Sequence, residues 1–169
     1  VSTGHYGLVT GGVLKLLQQK TITMAGGAAT AVAGNHPINT LLRLVHEVSQ
    51  ISIDGFCGKF KKDCTDLARR VTLLAHFLDE IKNSNALLTS SFNSCFSDLT
   101  VALEAAKQLL LAANDPKISS DVAVEKINFQ FQCVTWELEK ALGSFPYDHF
   151  DISEEVQEQV ELVRAQLKR

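Results

Sequence analysis

Apolar residues at Phe60, Cys64, Leu67, Val71, Leu74, Leu78 and Ile81 recur at alternating spacings of four and three, which is the seam of a helix packed nearly parallel or antiparallel to others. The spacing predicts a central helix from about Cys57 to Asn83. Lys62, Arg69, His76 and Asn83 stand seven apart on its outer line with no apolar residue among them. That line is predicted to face solvent. Before it, Pro37 suits the first turn of a helix, and Ile38, Leu41, Leu42, Val45 and Val48 carry an apolar stripe as far as Ile51. Asp54-Gly55 breaks that shorter helix.

The same spacing returns three times. After a Ser/Thr-rich link it runs through Phe92, Phe96, Leu99, Leu103, Ala106, Leu110 and Ala113, with Ala102, Ala105, Leu109 and Ala112 as a second stripe beside it. Two stripes predict neighbours on two sides, approached closely because of the alanines. Asn114-Asp115-Pro116 stops this helix. Ser119, Ser120 or Asp121 can cap the next, whose seam is Val124, Ile127, Phe131, Val134, Leu138 and Ala141. Phe129, Cys133 and Trp136 form a flanking stripe, and aromatic side chains beside a seam are expected in the core rather than in a ligand box. Gly143 and Pro146 end the helix. Asp151 or Ser153 caps the last one, which turns Val156, Val160, Val163 and Leu167 inward and places its glutamates early and its basic residues late, complementing the helix dipole. The chain stops with that helix still in phase, as expected of a fragment.

Residues 1–35 differ in kind. They hold most of the glycines, two lysines and no carboxylate, and Ala25 to Gly34 is a run of Ala, Gly, Thr and Val. Such sequence predicts a flexible leader before a bundle over residues 36–169, with Val13 to Leu17 able to form a helical turn or two. Lys15, Lys20 and the run ending Ala31-Val32-Ala33 faintly imitate a signal peptide, but glycines and threonines dilute its apolar core. No apolar run approaches the roughly 20 residues that span a bilayer. The fold class predicted is all-α, an antiparallel bundle of four to five helices with a flexible N-terminal leader.

Composition changes this picture little. A chain of 169 residues with 46% hydrophobic and 21% charged content supports one domain with a real core. A net charge of −3 and a pI near 5.9 argue against nucleic acid as a partner. Cys57, Cys64, Cys95 and Cys133 make no CxxC pair and no Cys/His set with zinc spacing, so they are expected to be buried free thiols in a reducing compartment. His5, His36, His46, His76 and His149 lie at no metal or triad spacing. No phosphate-binding or nucleophile-elbow motif is present, and no catalytic, cofactor or metal residue is assigned. The one basic concentration is Lys59, Lys61, Lys62, Arg69 and Arg70. Asp63 and Asp66 are interleaved with it at helical spacing and are expected to pair with some of these. Lys62, Arg69 and His76 are the candidate partner-binding face.

Four ordered blocks carry a family resemblance. They are Phe60-Lys61-Lys62-Asp63-Cys64-Thr65-Asp66-Leu67-Ala68-Arg69-Arg70 followed by Leu73-Leu74; Phe129-Gln130-Phe131-Gln132-Cys133-Val134-Thr135-Trp136; Phe145-Pro146-Tyr147-Asp148; and Asp151-Ile152-Ser153-Glu154-Glu155-Val156 with Glu158-Gln159-Val160-Glu161-Leu162. Over about Ile38 to Arg169 the chain resembles the N-terminal domain of plant U-box armadillo-repeat ubiquitin ligases. The resemblance implies a protein-binding module that recruits substrates or regulators, placed before a U-box and an armadillo array. Exocyst subunits, small-GTPase regulators and receptor kinases are the partners it implies. It implies a cytoplasmic protein, with the nucleus or the plasma-membrane periphery as further locations. No U-box pattern occurs in these residues, so ligase activity is expected of the parent rather than of this chain. The rival reading is a stand-alone helical adaptor at a membrane surface, anchored by Val9 to Thr23. That stretch has two positive charges and no strong polar face, too little for stable membrane binding without a second signal.

Overall fold

The computed structural model describes residues 36–169, and its helical unit is Pro37–Arg169. The elements are α1 (Pro37–Ile53), α2 (Lys61–Leu73), α3 (Ala75–Asn83), α4 (Asn93–Ala113), α5 (Asp121–Gly143) and α6 (Glu154–Leu167), with short 3-10 turns at Ser90–Phe92 and Tyr147–Phe150. No strand occurs among the described residues. The fold is therefore all-α, as the periodicity predicts. The leader, its turn at Val13 to Leu17 and the Val9 to Thr23 anchor lie outside the described residues.

Every seam residue from Phe60 to Ile81 is buried, yet they do not form one helix. The expected Cys57–Asn83 helix starts at Lys61 and is interrupted at Leu74, whose backbone (φ −74°, ψ −9°) is wound tighter than an α-helix and whose N–H donates to Val71 O at 3.1 Å. Neither Pro nor Gly causes this. Two residues earlier the Thr72 hydroxyl donates to Ala68 O at 2.8 Å, but Thr100 and Thr135 make the same bond inside unbroken helices, so that bond does not account for the interruption.

Helix α4 shares the centre of the bundle with the Phe60 to Lys82 stretch, which packs on α1, α4 and α6. Helix α4 packs against α1, α2 and α5, and Ala102, Ala106 and Ala113 are buried along it, so small side chains let neighbours approach. Its two stripes do meet two sides, except that Ala112 is exposed. Helix α6 closes the bundle against α5, α2 and α3.

Local chemistry sets the ends. Gly55 takes φ +74°, a left-handed conformation that ends α1. Ser120 caps α5, accepting from Ala123 N–H at 3.2 Å, and Ser153 caps α6, accepting from Val156 N–H at 3.4 Å. The Phe145-to-Phe150 link between α5 and α6 plugs one end of the bundle. Phe145 stands edge-on to Phe77 at 5.1 Å and to Phe96 at 5.7 Å between ring centroids, and Phe150 packs on both Phe96 and Phe145. Tyr147 packs on Phe77 and donates its hydroxyl to Leu142 O. That block is structural.

Candidate protein-docking surface

No group of His, Cys, Asp and Glu among the described residues could hold a metal ion. Among the described residues, one open groove runs along α6 at Glu154, Gln157, Glu158, Glu161 and Leu162, and another lies between the α3 and α6 ends at Glu80, Asn83, Asn85, His149 and Asp151. Neither encloses a reacting centre. In the second groove, His149 stacks on Phe92 at 4.1 Å, and its Nε2 lies 3.2 Å from Leu87 O, so the imidazole is a packing element.

The thiols depart from expectation at one position. Cys64 is buried and Cys95 and Cys133 are half-buried, but Cys57 is exposed. It lies in the α1–α2 loop, where its N–H donates to the Asn114 side chain at 2.9 Å and its Sγ is 3.5 Å from both Asn114 oxygens. The loop is held by the residue that ends α4, and that hydrogen bond leaves Cys57 on the rim. Burial pushes the Cys64 thiol up to about 11 and raises those of Cys95 and Cys133.

Lys62 and Arg69 are exposed on α2, and His76 is exposed on α3 beyond the Leu74 break. No hydrogen bond or ion pair orients any of them among the described residues. The expected pairing of Asp63 or Asp66 with the neighbouring bases is absent. The ion pairs lie elsewhere, at Arg43–Glu47, Lys107–Glu47, Arg164–Glu139, Arg164–Glu161 and Lys168–Glu139. Solvated side chains gain too little from pairing to offset their lost freedom.

The largest departure is on α5. Trp136 is 61% exposed, Phe129 47% and Val122 78%, although the two aromatics are expected in the core from their place beside a seam. Geometry supplies the reason. At about 100° per residue, Phe129 and Trp136 lie on the side of α5 opposite Ile127, Val134, Leu138 and Ala141, which fill the core. Angular position on the helix overrides the preference of aromatic residues for the interior. Val122, Phe129, Cys133 and Trp136 form an apolar line facing outward, interrupted only by Lys126 and Lys140. The Lys140 ammonium lies 4.9 Å over the Trp136 ring. On the opposite side, Phe131 packs on Phe60 at 5.9 Å, so the Phe60 and Phe129 family blocks meet in the interior while Phe129 and Trp136 themselves point to solvent.

An outward apolar helix face on an all-α domain is the feature of this surface that stands out among the described residues. The comparisons define which class of domain it is. The profile of the PUB10-like N-terminal domain family matches residues 61–169. The chain is 51% identical over 156 residues to U-box domain-containing protein 10 and 50% identical over 151 residues to U-box domain-containing protein 11, both of Arabidopsis thaliana. Each alignment covers 86% of this chain and 23% of the relative. The E3 ubiquitin-protein ligase SPL11 of Oryza sativa subsp. japonica is 38% identical over 113 residues, 65% of this chain and 16% of its own length. No solved structure matches. The chain belongs to the PUB10-like N-terminal domain family, and it spans about a quarter of the length of the two Arabidopsis U-box relatives. No helix among the described residues is long and apolar enough to cross a membrane.

Proposed function

We propose that this domain is the protein-binding module of a plant U-box ubiquitin ligase, recruiting substrates or regulators for ubiquitination by a U-box elsewhere in the parent protein. The observation that carries the reading is the outward apolar face of α5 on a domain of a U-box family. A face with Phe129 and Trp136 exposed costs solubility unless something covers it, and aromatic anchors are the residues from which interfaces draw most of their energy. Exocyst subunits, small-GTPase regulators and receptor kinases are the partner classes the family resemblance offers, in the cytoplasm, the nucleus or at the plasma-membrane periphery. The parent would join this module to a U-box and an armadillo array.

Grafting residues 36–169 in place of the matching segment of Arabidopsis U-box domain-containing protein 10 tests the reading. Ubiquitinated proteins are compared among the intact relative, the graft and a version lacking the segment. Deletion is expected to remove a subset of substrates while leaving self-ubiquitination intact, and the graft to restore a subset. Identical substrate profiles with and without the segment would overturn it.

A further inference from the structure

The same face specifies the chemistry of what covers it, and this inference rests on the binding-module reading. Along the midline of the outward face of α5 run Val122, Lys126, Phe129, Cys133, Trp136 and Lys140, at spacings of four, three, four, three and four. That is the spacing at which one helix lies along another. Most helix seams of this type are apolar throughout. Here both ends of the aromatic segment carry a lysine, Lys126 before Phe129 and Lys140 after Trp136. Fourteen residues separate them, about 21 Å along the axis. Glu125 and Glu137 stand at the two edges of the face, Glu137 half-buried and near enough to Lys140 to feel its charge, so the lysines on the midline are the charges that point straight out.

We infer that α5 docks an acidic amphipathic helix of a partner protein, whose apolar side covers Phe129 and Trp136 and whose carboxylates, four turns apart, meet Lys126 and Lys140. The lysines decide against a second copy of this chain. Pairing the face with itself in register sets Lys126 against Lys126, and pairing it antiparallel about Cys133 sets Lys126 against Lys140. Either arrangement places like charges together, which disfavours association. The acidic groove of α6 in another copy supplies glutamates but only Leu162 as an apolar surface, too little to cover two aromatic rings. A carboxylate reaching Lys140 would also draw on an ammonium already seated against the Trp136 ring, so charge and apolar contact are made at one place.

Trp136 is the only tryptophan in the chain and reports directly on this face. The probes are two helical peptides with the same leucine-lined face, one with glutamate and one with lysine at the two positions four turns apart. Titrated into the full chain, the glutamate peptide is expected to blue-shift and saturate the Trp136 emission, and to bind at least tenfold more tightly than the lysine peptide. The double variant K126E/K140E is expected to reverse that preference. A Phe129→Ala variant, whose thermal melt should match the parent because the ring is half-exposed, is expected to lose the glutamate peptide. Equal binding of both peptides, no binding up to millimolar peptide, or a Trp136 emission that shifts with protein concentration alongside a dimer mass would each overturn the inference. If the peptides fail while the graft still selects substrates, the module reading stands and its surface lies elsewhere; if both fail, neither reading survives.

Discussion

Both carboxylate oxygens of Glu80 are used on one residue: Oε2 accepts from the Ser153 N–H at 2.9 Å and Oε1 from the Ser153 hydroxyl at 2.6 Å, across 73 residues of sequence. Ser153 in turn caps α6 through Val156 N–H. The start of the last helix is thus fixed by a side chain from α3. Glu80→Ala is expected to cost about 1–2 kcal/mol, the range for a charge-assisted hydrogen bond discounted for exposure. Ser153→Ala removes the cap as well and should cost about the same or slightly more. The double variant should cost clearly less than the sum, because each single change already breaks the shared contact. Urea unfolding of the four proteins checks this, and strict additivity would show that the contact carries no energy.

Leu74 is fully buried at the α2–α3 junction, while Arg69, one turn earlier, is exposed and held by no ion pair. Leu74→Ala is expected to cost about 2–5 kcal/mol, because the surrounding helices cannot collapse fully onto the cavity. Arg69→Ala should stay within about 0.5 kcal/mol of the parent. Equal denaturation midpoints for the two variants would remove Leu74 from the core.

Acid stability turns on three glutamates. Glu139 is desolvated, which by itself raises its carboxyl, but hydrogen bonds from Arg164 and Lys168 outweigh that and hold it below the ordinary 4.5. Glu47 is lowered chiefly by its hydrogen bond with Lys107, against desolvation and with help from Arg43. Both have folded values below the unfolded one. Their contribution is complete above about pH 4.5 and is lost as the pH falls through the folded values. Glu137 is shifted the other way by burial, with Lys140 a smaller opposing influence. Its ionised form opposes folding at neutral pH, and protonation relieves this as the pH falls. Glu139→Gln should therefore flatten the loss of stability below pH 4.5, whereas Glu137→Gln should raise stability at pH 7 by less than about 1 kcal/mol. Urea midpoints measured from pH 7 to pH 3 decide both. A steeper acid limb in Glu139→Gln would reverse the assignment.

How much of this can be read in the chain depends on what each feature needs. Seams are legible because burial of Cys64, Leu67, Val71 and Leu78 needs only the right spacing on one helix. The break at Leu74 is not, since it leaves the hydrophobic period untouched and no Pro or Gly marks it. Nor is the choice of α1, α2 and α5 as the neighbours of α4, which is decided by tertiary packing around Ala102 and Ala106. The candidate face at Lys62, Arg69 and His76 does stand in solvent, but solvent exposure alone gives it no geometry. Trp136 and Phe129 are within reach of the sequence: residues two apart on a helix point about 200° apart, so Trp136 cannot share the inward direction of Leu138.

The last prediction concerns catalysis by the chain itself. Forming a ubiquitin thioester needs an accessible thiolate with a base or cation to lower its pKa. Cys64, Cys95 and Cys133 are moved the wrong way by burial, so at pH 7 their thiols stay protonated and poorly nucleophilic. Cys57 is exposed, and its sulfur meets the two Asn114 oxygens rather than a histidine or a carboxylate. One thiol of four should therefore react rapidly with a disulfide reagent, and Cys57→Ser should remove that phase. The other three should react only slowly until denaturant is added. With activating enzyme, conjugating enzymes, ATP and ubiquitin, the 169-residue chain is expected to make no polyubiquitin, with or without Cys57. Chains formed by the wild-type protein and lost on replacing any one cysteine would make the domain an enzyme and end the binding-module reading.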